Sequence, residues 1–229
     1  MKNNSPGLTV IILAKNEEKN LPYVFDQLKN FSGEILLVDG STHRLRTEKI
    51  TEKYHIRIIH DQGCGKGTAM RLGAKTAQGN ILIFMDADGS HNSKDIPALV
   101  NPIINNQADY VIGSRALGGS DESHGTFYRF IRESGSHLIT VIINHRFNTN
   151  FSDSQNGFRA IKKSVFHQLN IQESCFAVEQ EMLIKALRQR FKVIEVPTHE
   201  YARRFGKSQI IIRKFWFHYL YTLVKNLYF

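Results

Sequence analysis

Cysteine and long apolar runs are scarce in this sequence, and each scarcity excludes a class of protein. The 229 residues include only two cysteines, Cys64 and Cys175, with no second Cys or His at metal-ligand spacing. We therefore expect neither a disulfide framework nor a zinc site. The first apolar run, Leu8 to Ala14, is too short for a signal peptide, and no run of about 18 apolar residues occurs. The sequence thus predicts a cytoplasmic protein with no membrane-spanning segment.

Acidic residues are fewer than basic ones. Thirty Lys and Arg residues stand against twenty-one Asp and Glu residues, which gives a formal net charge of +9. This favours an anionic partner, which could be nucleic acid, a phosphorylated substrate or an anionic membrane face. Because 41% of the chain is hydrophobic and 22% charged, we expect a single folded domain and exclude a disordered chain.

Apolar, β-branched runs alternate with segments of helical spacing. The runs predicted to be strands are Leu8–Leu13, Glu34–Val38, Arg57–His60, Ile81–Met85, Tyr110–Ile112 and Lys192–Val196. This rhythm predicts parallel strands joined by crossover helices in a doubly wound α/β domain. Such sheets bind ligands at the carboxyl ends of their strands. Polar residues at 14–18, 39–41 and 86–88 follow three of these runs, so we expect them to meet at one edge.

One of these polar sets has the chemistry of a cation site. Asp86 and Asp88 flank Ala87 directly after the run ILIFM. Two carboxylates this close repel each other unless a cation lies between them. Mg²⁺ typically combines one or two carboxylates with substrate phosphates. The alternative is an ordinary turn at Asp88-Gly89, with Asp86 as a cap.

A glycine-rich turn precedes the third predicted helix. It runs from Gly63 to Thr68 and brings backbone amides and Lys66 to a helix start, where phosphate could bind. It is not a Walker loop, because Gly67 follows Lys66 where that motif requires Ser or Thr. A glycine-rich turn without any phosphate is the alternative.

Eight short segments share one pattern over nearly the whole chain, from Val10 to Ile210. They are ILAKNEE at 12–18, VDGST at 38–42, GKG at 65–67, MDADGSH at 85–91, VIGSR at 111–115, DSQNGFRA at 153–160, EVP at 195–197 and GKS at 206–208. Their order and spacing resemble the dolichyl-phosphate mannose and glucose synthase branch of the family-two glycosyltransferases. The resemblance implies a GT-A fold. It also implies metal-dependent, inverting transfer of a hexose from a nucleotide-sugar, of GDP-mannose or UDP-glucose type, to a polyprenyl or dolichyl phosphate.

The resemblance also implies which residues bind the donor and the metal. The implied donor-binding residues are Ala14, Asn16, Glu17, Asp39, Lys66, Asp86 and Ser208. The implied ligands of Mg²⁺ or Mn²⁺ are Asp86, Asp88, Ser90 and His91. Among these residues, Asp39 would lie near the base, Glu17 near the ribose, and Asp88 would be the firmest metal ligand.

The acceptor and the chemical step involve a further set of residues. By resemblance, Arg115 faces the acceptor phosphate together with Arg132 and Ser136. The implied catalytic residues are Asp88, Arg115, Asp153, Arg203, Arg204 and Lys207, of which Arg203 or Arg204 closes with Lys207 over the diphosphate. A phosphate acceptor needs no strong general base, because its second pKa is about 6. For a hydroxyl acceptor, Asp153 or Glu181 would be the candidate base.

The last segment, Gln209–Phe229, is predicted to be an amphipathic helix outside a catalytic domain at 1–208. Lys214, His218 and Lys225 form a basic stripe. The predicted apolar face opposite the stripe includes Ile212, Phe215, Trp216, Tyr219, Leu223 and Leu227. This pattern predicts a helix in a membrane interface, on the cytoplasmic face. The alternative is a helix docked on its own domain, on a second copy or on a membrane partner protein.

Three other functions stay open at this point. One is a glycosyltransferase that acts on a hydroxyl of a cell-surface glycan. Another is a sugar nucleotidyltransferase, which would use Asp86 and Asp88 with a metal and release pyrophosphate. The third is a nucleic-acid-binding protein, but no helix-turn-helix, RNP or OB-type pattern occurs, so we expect no nucleic-acid partner.

Overall fold

A mostly parallel sheet with helices on both faces forms the centre of the fold. The structure, a computed structural model, describes residues 7–121, 127–206 and 212–228, with the backbone alone at 127–130, 132 and 212–215. The strands are β1 (Leu8–Ala14), β2 (Glu34–Asp39), β3 (Arg57–His60), β4 (Ile81–Asp86), β5 (Tyr110–Ser114), β6 (Arg159–Lys162) and β7 (Val193–Pro197). In the described residues they form one sheet in the order β3-β2-β1-β4-β6-β5-β7.

Helices and a 3-10 turn connect the strands. The helices are α1 (Leu21–Leu28), α2 (Arg44–Tyr54), α3 (Lys66–Thr76), α4 (Ile96–Ile104), α5 (Arg115–Gly118), α6 (Phe127–Phe147), α7 (Lys163–Gln168), α8 (Val178–Arg188) and α9 (Ile212–Tyr228), and the 3-10 turn is Ser93–Asp95. The predicted doubly wound α/β architecture is confirmed.

The strands β1 and β4 are covered on both faces, as their continuous apolar runs predict. Ile11 of β1 packs in one core cluster with α3 and α8, and its neighbour Val10 packs in the other with α1 and α4; both are 0% exposed. Gly73 allows α3 to approach the sheet, since a Cβ there would lie 2.6 Å from Cγ2 of Ile11. The buried sheet is therefore a rigid base for the residues at its edge.

The predicted meeting of three polar sets at one edge is confirmed by the strand register. Ala14 at the end of β1 pairs with Asp39 at the end of β2, and Leu13 pairs with Asp86 at the end of β4. The carboxyl ends of these three parallel strands therefore place their following residues side by side.

The strand β6 was not predicted from the sequence. It runs antiparallel between β4 and β5 and has only four residues, RAIK. Arg159 at its start is 0% exposed, and its guanidinium donates to the carbonyl oxygens of Ser154, Asn156 and Glu179 and to the hydroxyl of Tyr110. This buried arginine holds the loop before β6 against the start of α8.

The C-terminal helix α9 docks on the domain, which was the alternative left open by the sequence, so the predicted lipid-facing surface is wrong at Leu223 and Leu227. Leu223 and Leu227, expected on the lipid side, are 1% and 4% exposed and belong to the same core cluster as the sheet. The side chain of Gln180 in α8 donates to the carbonyl of Tyr219 at 2.8 Å. The large apolar side chains of α9 that are exposed are Trp216, Phe217, Leu220, Tyr221, Val224 and Tyr228. Within the described part of the chain, no helix is both long and apolar enough to cross a membrane.

Candidate active site

The ends of β1 and β2 are joined by hydrogen bonds beside a cleft. Asn16 has a positive φ of 58°, and its backbone N–H donates to Oγ of Ser41 at 2.7 Å. Its side-chain oxygen accepts from the N–H of Thr42 at 3.1 Å. Asn16 thus fixes this turn, which borders a cleft of about 370 Å³. The cleft is lined by Lys15, Gly40, Ser41, Thr42, Arg44, Asp61, Gln62 and Gly63.

Asp39 lies at the bottom of this region with one carboxylate oxygen unused. It is 0% exposed, and Oδ1 accepts from the N–H and the hydroxyl of Ser41. Among the described residues, Oδ2 has no hydrogen-bond donor; Nδ1 of His60 is 3.5 Å from it. A buried acceptor without a donor is costly, so Asp39 is suited to receive a donor from a ligand.

Asp86 and Asp88 project from the end of β4 into different surroundings. Oδ1 of Asp88 accepts from the N–H and the hydroxyl of Ser90 at 3.0 and 2.7 Å. His91 is 3% exposed, its ring stacks on Phe158 at 4.8 Å, and its Nδ1 accepts from the N–H of Asp86 at 3.3 Å. Ser90 therefore orients the carboxylate of Asp88, and His91 holds the backbone of Asp86. Whether either ligates a metal stays a prediction.

Lys66 joins Asp86 to a carboxylate that sequence reasoning missed. Its ammonium lies 2.8 Å from Oδ1 of Asp86 and 2.7 Å from Oε1 of Glu179, at the start of α8. Burial opposes the charge of Lys66, but the two carboxylates outweigh it and raise the pKa of the ammonium. Burial likewise works to raise the pKa of Asp86, but Lys66 outweighs this and lowers it. Lys66 and Asp86 are therefore charged at neutral pH, and the ammonium predicted to meet phosphate instead contacts Asp86 and Glu179 in this structure.

Glu181 was the carboxylate of α8 considered from the sequence, and its surroundings differ. Its oxygens accept from the backbone N–H groups of Gln172 and Glu173, and Oε1 lies 2.7 Å from Nζ of Lys185. Glu181 thus holds the 172–173 loop. The only signal for Glu179 was its position in an acidic first turn of a buried helix, which the sequence cannot orient.

Arg203 enters the carboxylate cluster from a distant part of the chain. Its guanidinium is 2.5 Å from Oε1 of Glu17 and 2.7 Å from Oδ2 of Asp88. Burial works to raise the pKa of Glu17, and it outweighs the opposing effect of Arg203, so the pKa is raised. Arg204 instead lies over the ring of Tyr23, 3.5 Å from its centroid. Of the two arginines left open by the sequence, the structure places Arg203 among the carboxylates.

Asn20 holds the segment that carries Arg203. Its side chain exchanges hydrogen bonds with the backbone of Phe205 at 3.1 and 3.2 Å, and it also donates to Oε2 of Glu17. The sequence analysis did not single out Asn20. Lys207 and Ser208, predicted to follow in the same loop, lie outside the described residues.

The carboxylate cluster, which contains residues predicted to bind the donor, fits a divalent cation by its charge. Glu17, Asp86, Asp88 and Glu179 face Lys66 and Arg203. When all are ionised, carboxylates are in excess by two charges. Oxygen ligands of this type suit Mg²⁺ or Mn²⁺.

Arg115 forms a second charged group at the ends of β5 and β7. Its Nε and Nη2 donate to the two carboxylate oxygens of Asp153 at 2.6 and 2.9 Å, and Nη1 is 3.4 Å from Oε1 of Glu200. Burial works to raise the pKa of Asp153, but Arg115 outweighs it and lowers the pKa. Asp153 therefore aims Arg115, and it is poorly suited to act as the general base that a hydroxyl acceptor would need.

The other predicted acceptor residues lie on α6. Thr140 donates or accepts a hydrogen bond with Ser154 at 2.8 Å, and its hydroxyl also donates to the carbonyl of Ser136, one turn earlier. This brings α6 to the loop that carries Asp153. The side chain of Arg132 is outside the described part of the structure, so its role and that of Ser136 stay predictions.

One short segment links the two charged groups. Glu200 contacts Arg115, the N–H of Tyr201 donates to the carbonyl of Ser90 at 2.8 Å, and Arg203 contacts Asp88. A carboxylate cluster at the edge of a doubly wound sheet, joined by such a segment to the half-buried Arg115, is the arrangement expected of a sugar-transferring α/β enzyme of GT-A type.

Comparison with known proteins shows the family. Residues 9–169 match the family model described as Glycosyl transferase family 2. The chain therefore belongs to glycosyl transferase family 2, which confirms the enzyme class predicted from the sequence.

Named relatives are 30–32% identical to this chain over the aligned residues. It is 31% identical over 211 residues to a dolichol-phosphate mannosyltransferase from Pyrococcus furiosus, covering 89% of this chain and 59% of the relative. It is 32% identical to a dolichyl-phosphate beta-glucosyltransferase from Trichomonas vaginalis, covering 82% and 64%. It is 30% identical to a UDP-N-acetylglucosamine–dolichyl-phosphate N-acetylglucosaminyltransferase from Methanococcus voltae, covering 88% and 90%. The chain thus spans less than two thirds of the first two relatives.

Solved structures confirm the fold. Glucosyl-3-phosphoglycerate synthase from Mycobacterium tuberculosis, in complex with Mn²⁺, UDP and glucosyl-3-phosphoglycerate, superposes with a TM-score of 0.76. The match covers 97% of this chain and 80% of that chain at 17% sequence identity. At this identity, the likeness is one of fold alone.

Proposed function

We propose that this chain transfers a hexose from a nucleotide-sugar to a dolichyl or other polyprenyl phosphate, with inversion and with Mg²⁺ or Mn²⁺. The observation that carries the proposal is a pattern in the relatives. Their names state three different sugars, mannose, glucose and N-acetylglucosamine, but all state a dolichyl-phosphate acceptor. The acceptor is therefore better supported than the sugar.

The donor side supports this chemistry through charge. Asp88, with Asp86, would hold the divalent cation, which neutralises negative charge on the departing nucleoside diphosphate when bound. Arg203 is the guanidinium positioned beside these carboxylates to add positive charge there. A single preorganised group of this kind is typically worth about 3 kcal/mol in the transition state. Asp39, with its unused Oδ2, would accept a hydrogen bond from the nucleobase, and Glu17 would contact the ribose.

The acceptor side favours a phosphate over a hydroxyl. A phosphate monoester is already largely ionised at neutral pH, since its second pKa is about 6, so it can attack without a strong base. The two candidate bases are both occupied: Asp153 by Arg115, and Glu181 by backbone N–H groups and Lys185. Arg115, whose planar fork is aimed by Asp153, would bind the phosphate with its remaining N–H groups.

The exposed side of α9 supports a peripheral position on the cytoplasmic face of a membrane. Phe217, Leu220, Tyr221 and Val224 are 66%, 45%, 58% and 44% exposed and recur at helical spacing, with Lys225 beside them. Such a face suits insertion into a lipid interface. We expect Lys225→Gln to weaken flotation with anionic liposomes about fivefold, since one such charge contributes about 1 kcal/mol. Lys29→Gln, directly after α1 at the other face of the sheet, is the matched control.

The flotation experiment also separates the alternatives for α9. If flotation of the wild type is absent and sedimentation shows a dimer, the exposed face is an interface between copies or with a membrane partner protein. If both Lys variants float equally well, the basic charge of α9 has no part in lipid binding.

The donor and the reaction can be identified together. A thermal-stability panel of nucleotide-sugars in Mg²⁺ and in Mn²⁺ identifies the donor, since a ligand at 100 times its Kd stabilises by about 2.7 kcal/mol. Turnover of that donor with a short polyprenyl phosphate should release the nucleoside diphosphate. Release of pyrophosphate from a nucleoside triphosphate would instead establish a sugar nucleotidyltransferase, and a salt-dependent gel shift without turnover would establish nucleic-acid binding.

A further inference from the structure

A second group of metal-binding side chains lies where α9 docks on the domain. Glu173, Cys175 and His218 each offer a ligand atom, and these atoms all lie within 4.8 Å of one another. Oε1 of Glu173 is 2.9 Å from Nε2 of His218. The site is separate from the carboxylates of the active site. From this geometry we propose a binding site for one thiophilic divalent cation, of which Zn²⁺ is the type, between the 173–175 loop and α9.

The donor set selects the class of ion. A thiolate and an imidazole favour Zn²⁺ or Co²⁺, whereas Mg²⁺ prefers oxygen ligands throughout. Three protein ligands leave one position of a tetrahedral ion for water. The thiolate of Cys175 and the carboxylate of Glu173 balance the two charges of the ion, with His218 neutral. As the sulfur–metal bond forms, the S–H bond of Cys175 breaks and its proton passes to solvent.

Hydrogen bonds from neighbouring groups already orient the carboxylate. The backbone N–H of Cys175 donates to Oε1 of Glu173 at 2.7 Å, and the hydroxyl of Thr222 on α9 donates to Oε2 at 2.9 Å. Such outer contacts fix ligand direction in metal sites. The ion would take the place of the direct contact between Glu173 and His218, with the same groups around it.

The proposed site has a consequence for the active site through the 173–175 loop. The N–H of Gly67 donates to the carbonyl of Ser174 at 2.9 Å. A Cβ on Gly67 would lie 2.0 Å from the carbonyl oxygen of Glu173, so the loop and the start of α3 are in close contact. The neighbouring Lys66 contacts Asp86 and Glu179. An ion that ties this loop to α9 would therefore also hold the turn that carries Lys66.

The sequence expectation of no zinc site rested on spacing alone. Cys175 and His218 are far apart in the chain, and only the docking of α9 brings them together. No local pattern of ligands could have shown this.

Cobalt titration of the full chain in excess Mg²⁺ tests the proposal directly, because Mg²⁺ keeps the oxygen-rich site occupied. Metal-free protein should bind one equivalent of Co²⁺ with a thiolate-to-cobalt charge-transfer absorption, and one equivalent of Zn²⁺ should abolish it. Cys175→Ser should lose the band, whereas Cys64→Ser is the matched control, since Cys64 is exposed and outside the cluster, and should retain it.

Two further variants keep the test decisive if Cys175→Ser folds poorly. His218→Gln should keep the thiolate band but weaken Co²⁺ binding at least tenfold, and Glu173→Gln should act similarly. Zn²⁺ should also slow hydrogen exchange of α9 in the wild type and not in His218→Gln. The proposal is overturned if the wild type shows no thiolate band, if the band depends on Cys64 instead, or if His218→Gln binds Co²⁺ as tightly as the wild type.

Discussion

Two charged groups lie at this edge of the sheet, the carboxylate cluster on the proposed donor side and Arg115 on the proposed acceptor side, and they balance their charge differently. On the donor side, carboxylates exceed cations by two, and one of the cations, Arg203, comes from a segment far along the chain. On the acceptor side, Arg115 is held in a two-pronged contact by the buried Asp153, with Glu200 at its other edge. The proposed donor side thus has an excess of negative charge that a bound cation would balance, whereas Arg115 on the proposed acceptor side is already paired. Under the proposed function, metal and nucleotide would bind where Arg203 must exchange its partners, and the acceptor phosphate would bind where Arg115 keeps its contact with Asp153.

The largest effect is expected at Asp88. Asp88→Asn removes the charge that would hold the cation and should lower kcat at least about 100-fold, because a lost preorganised charge costs about 3 kcal/mol. The fold should remain intact, since Asn can still accept from Ser90. Asp26→Asn, on the exposed side of α1, is the control and should retain full activity. Full activity of the wild type in excess EDTA would show that the reaction does not need a metal.

Arg115 should separate acceptor binding from donor binding. Arg115→Lys keeps one charge beside Asp153 but loses the planar fork, so kcat/KM for the acceptor should fall by about 10- to 100-fold, corresponding to about 1.5–3 kcal/mol for a charged hydrogen bond. Nucleotide affinity, measured by calorimetry, should be unchanged. Asp39→Ala should lower nucleotide affinity and leave binding of the acceptor unchanged. Equal loss of nucleotide affinity in both variants would show that the two sides are not separate.

The Arg115–Asp153 pair should also give a specific pH dependence of stability. The pKa of Asp153 is lowered in the folded protein, so the pair stabilises fully above the ordinary carboxyl value of 3.8 and loses this stabilisation as the pH falls through the lower folded value. Asp153→Asn should be less stable than the wild type at neutral pH, by about 3 kcal/mol for a broken buried pair. The difference in the free energy of unfolding between the two proteins should become smaller below pH 4. Urea unfolding of both proteins measures this difference, and a difference that does not change with pH would contradict the pairing.

The smallest effect is expected in the Mn²⁺ affinity of an Arg203 variant. In nucleotide-free protein its guanidinium competes with a cation for Asp88 and Glu17, so Arg203→Ala should bind Mn²⁺ more tightly, by about fivefold for an ion pair worth about 1 kcal/mol. The same variant should bind the nucleoside diphosphate more weakly. Arg204→Ala is the matched control, because its guanidinium lies on Tyr23. Identical Mn²⁺ affinities in Arg203→Ala and the wild type would show that Arg203 does not compete for this site.

Residues that act within a short motif could be predicted from the sequence. Asp86, Asp88 and His91 follow one buried strand, so their common location required only the strand assignment. The same holds for Asn16 and Asp39, whose strands pair in register. The parallel core was predictable because continuous apolar runs have few other uses in a doubly wound domain.

Contacts between distant segments could not be predicted. The approach of Glu179 to Lys66, and the choice between Arg203 and Arg204, depend on how α8 and the last loop pack. The strand β6 was missed because a strand of four residues with a charged residue at each end is too short to show an alternation of apolar and polar residues. The lipid-facing surface of α9 was predicted wrongly because apolar residues occur on more than one side of this helix, and the sequence does not show which side packs on the domain. In the structure, Leu223 and Leu227 lie in the core.

In the proposed reaction, the group that attacks the sugar is the phosphate of the acceptor. The direct measurement supplies the identified nucleotide-sugar with a polyprenyl phosphate or with the polyprenol of the same length, and follows the glycosylated lipid by mass spectrometry. We expect a sugar phosphodiester to form with the polyprenyl phosphate and no product to form with the polyprenol. Equal glycosylation of the polyprenol, or transfer to a glycan hydroxyl while the polyprenyl phosphate stays unmodified, would contradict it.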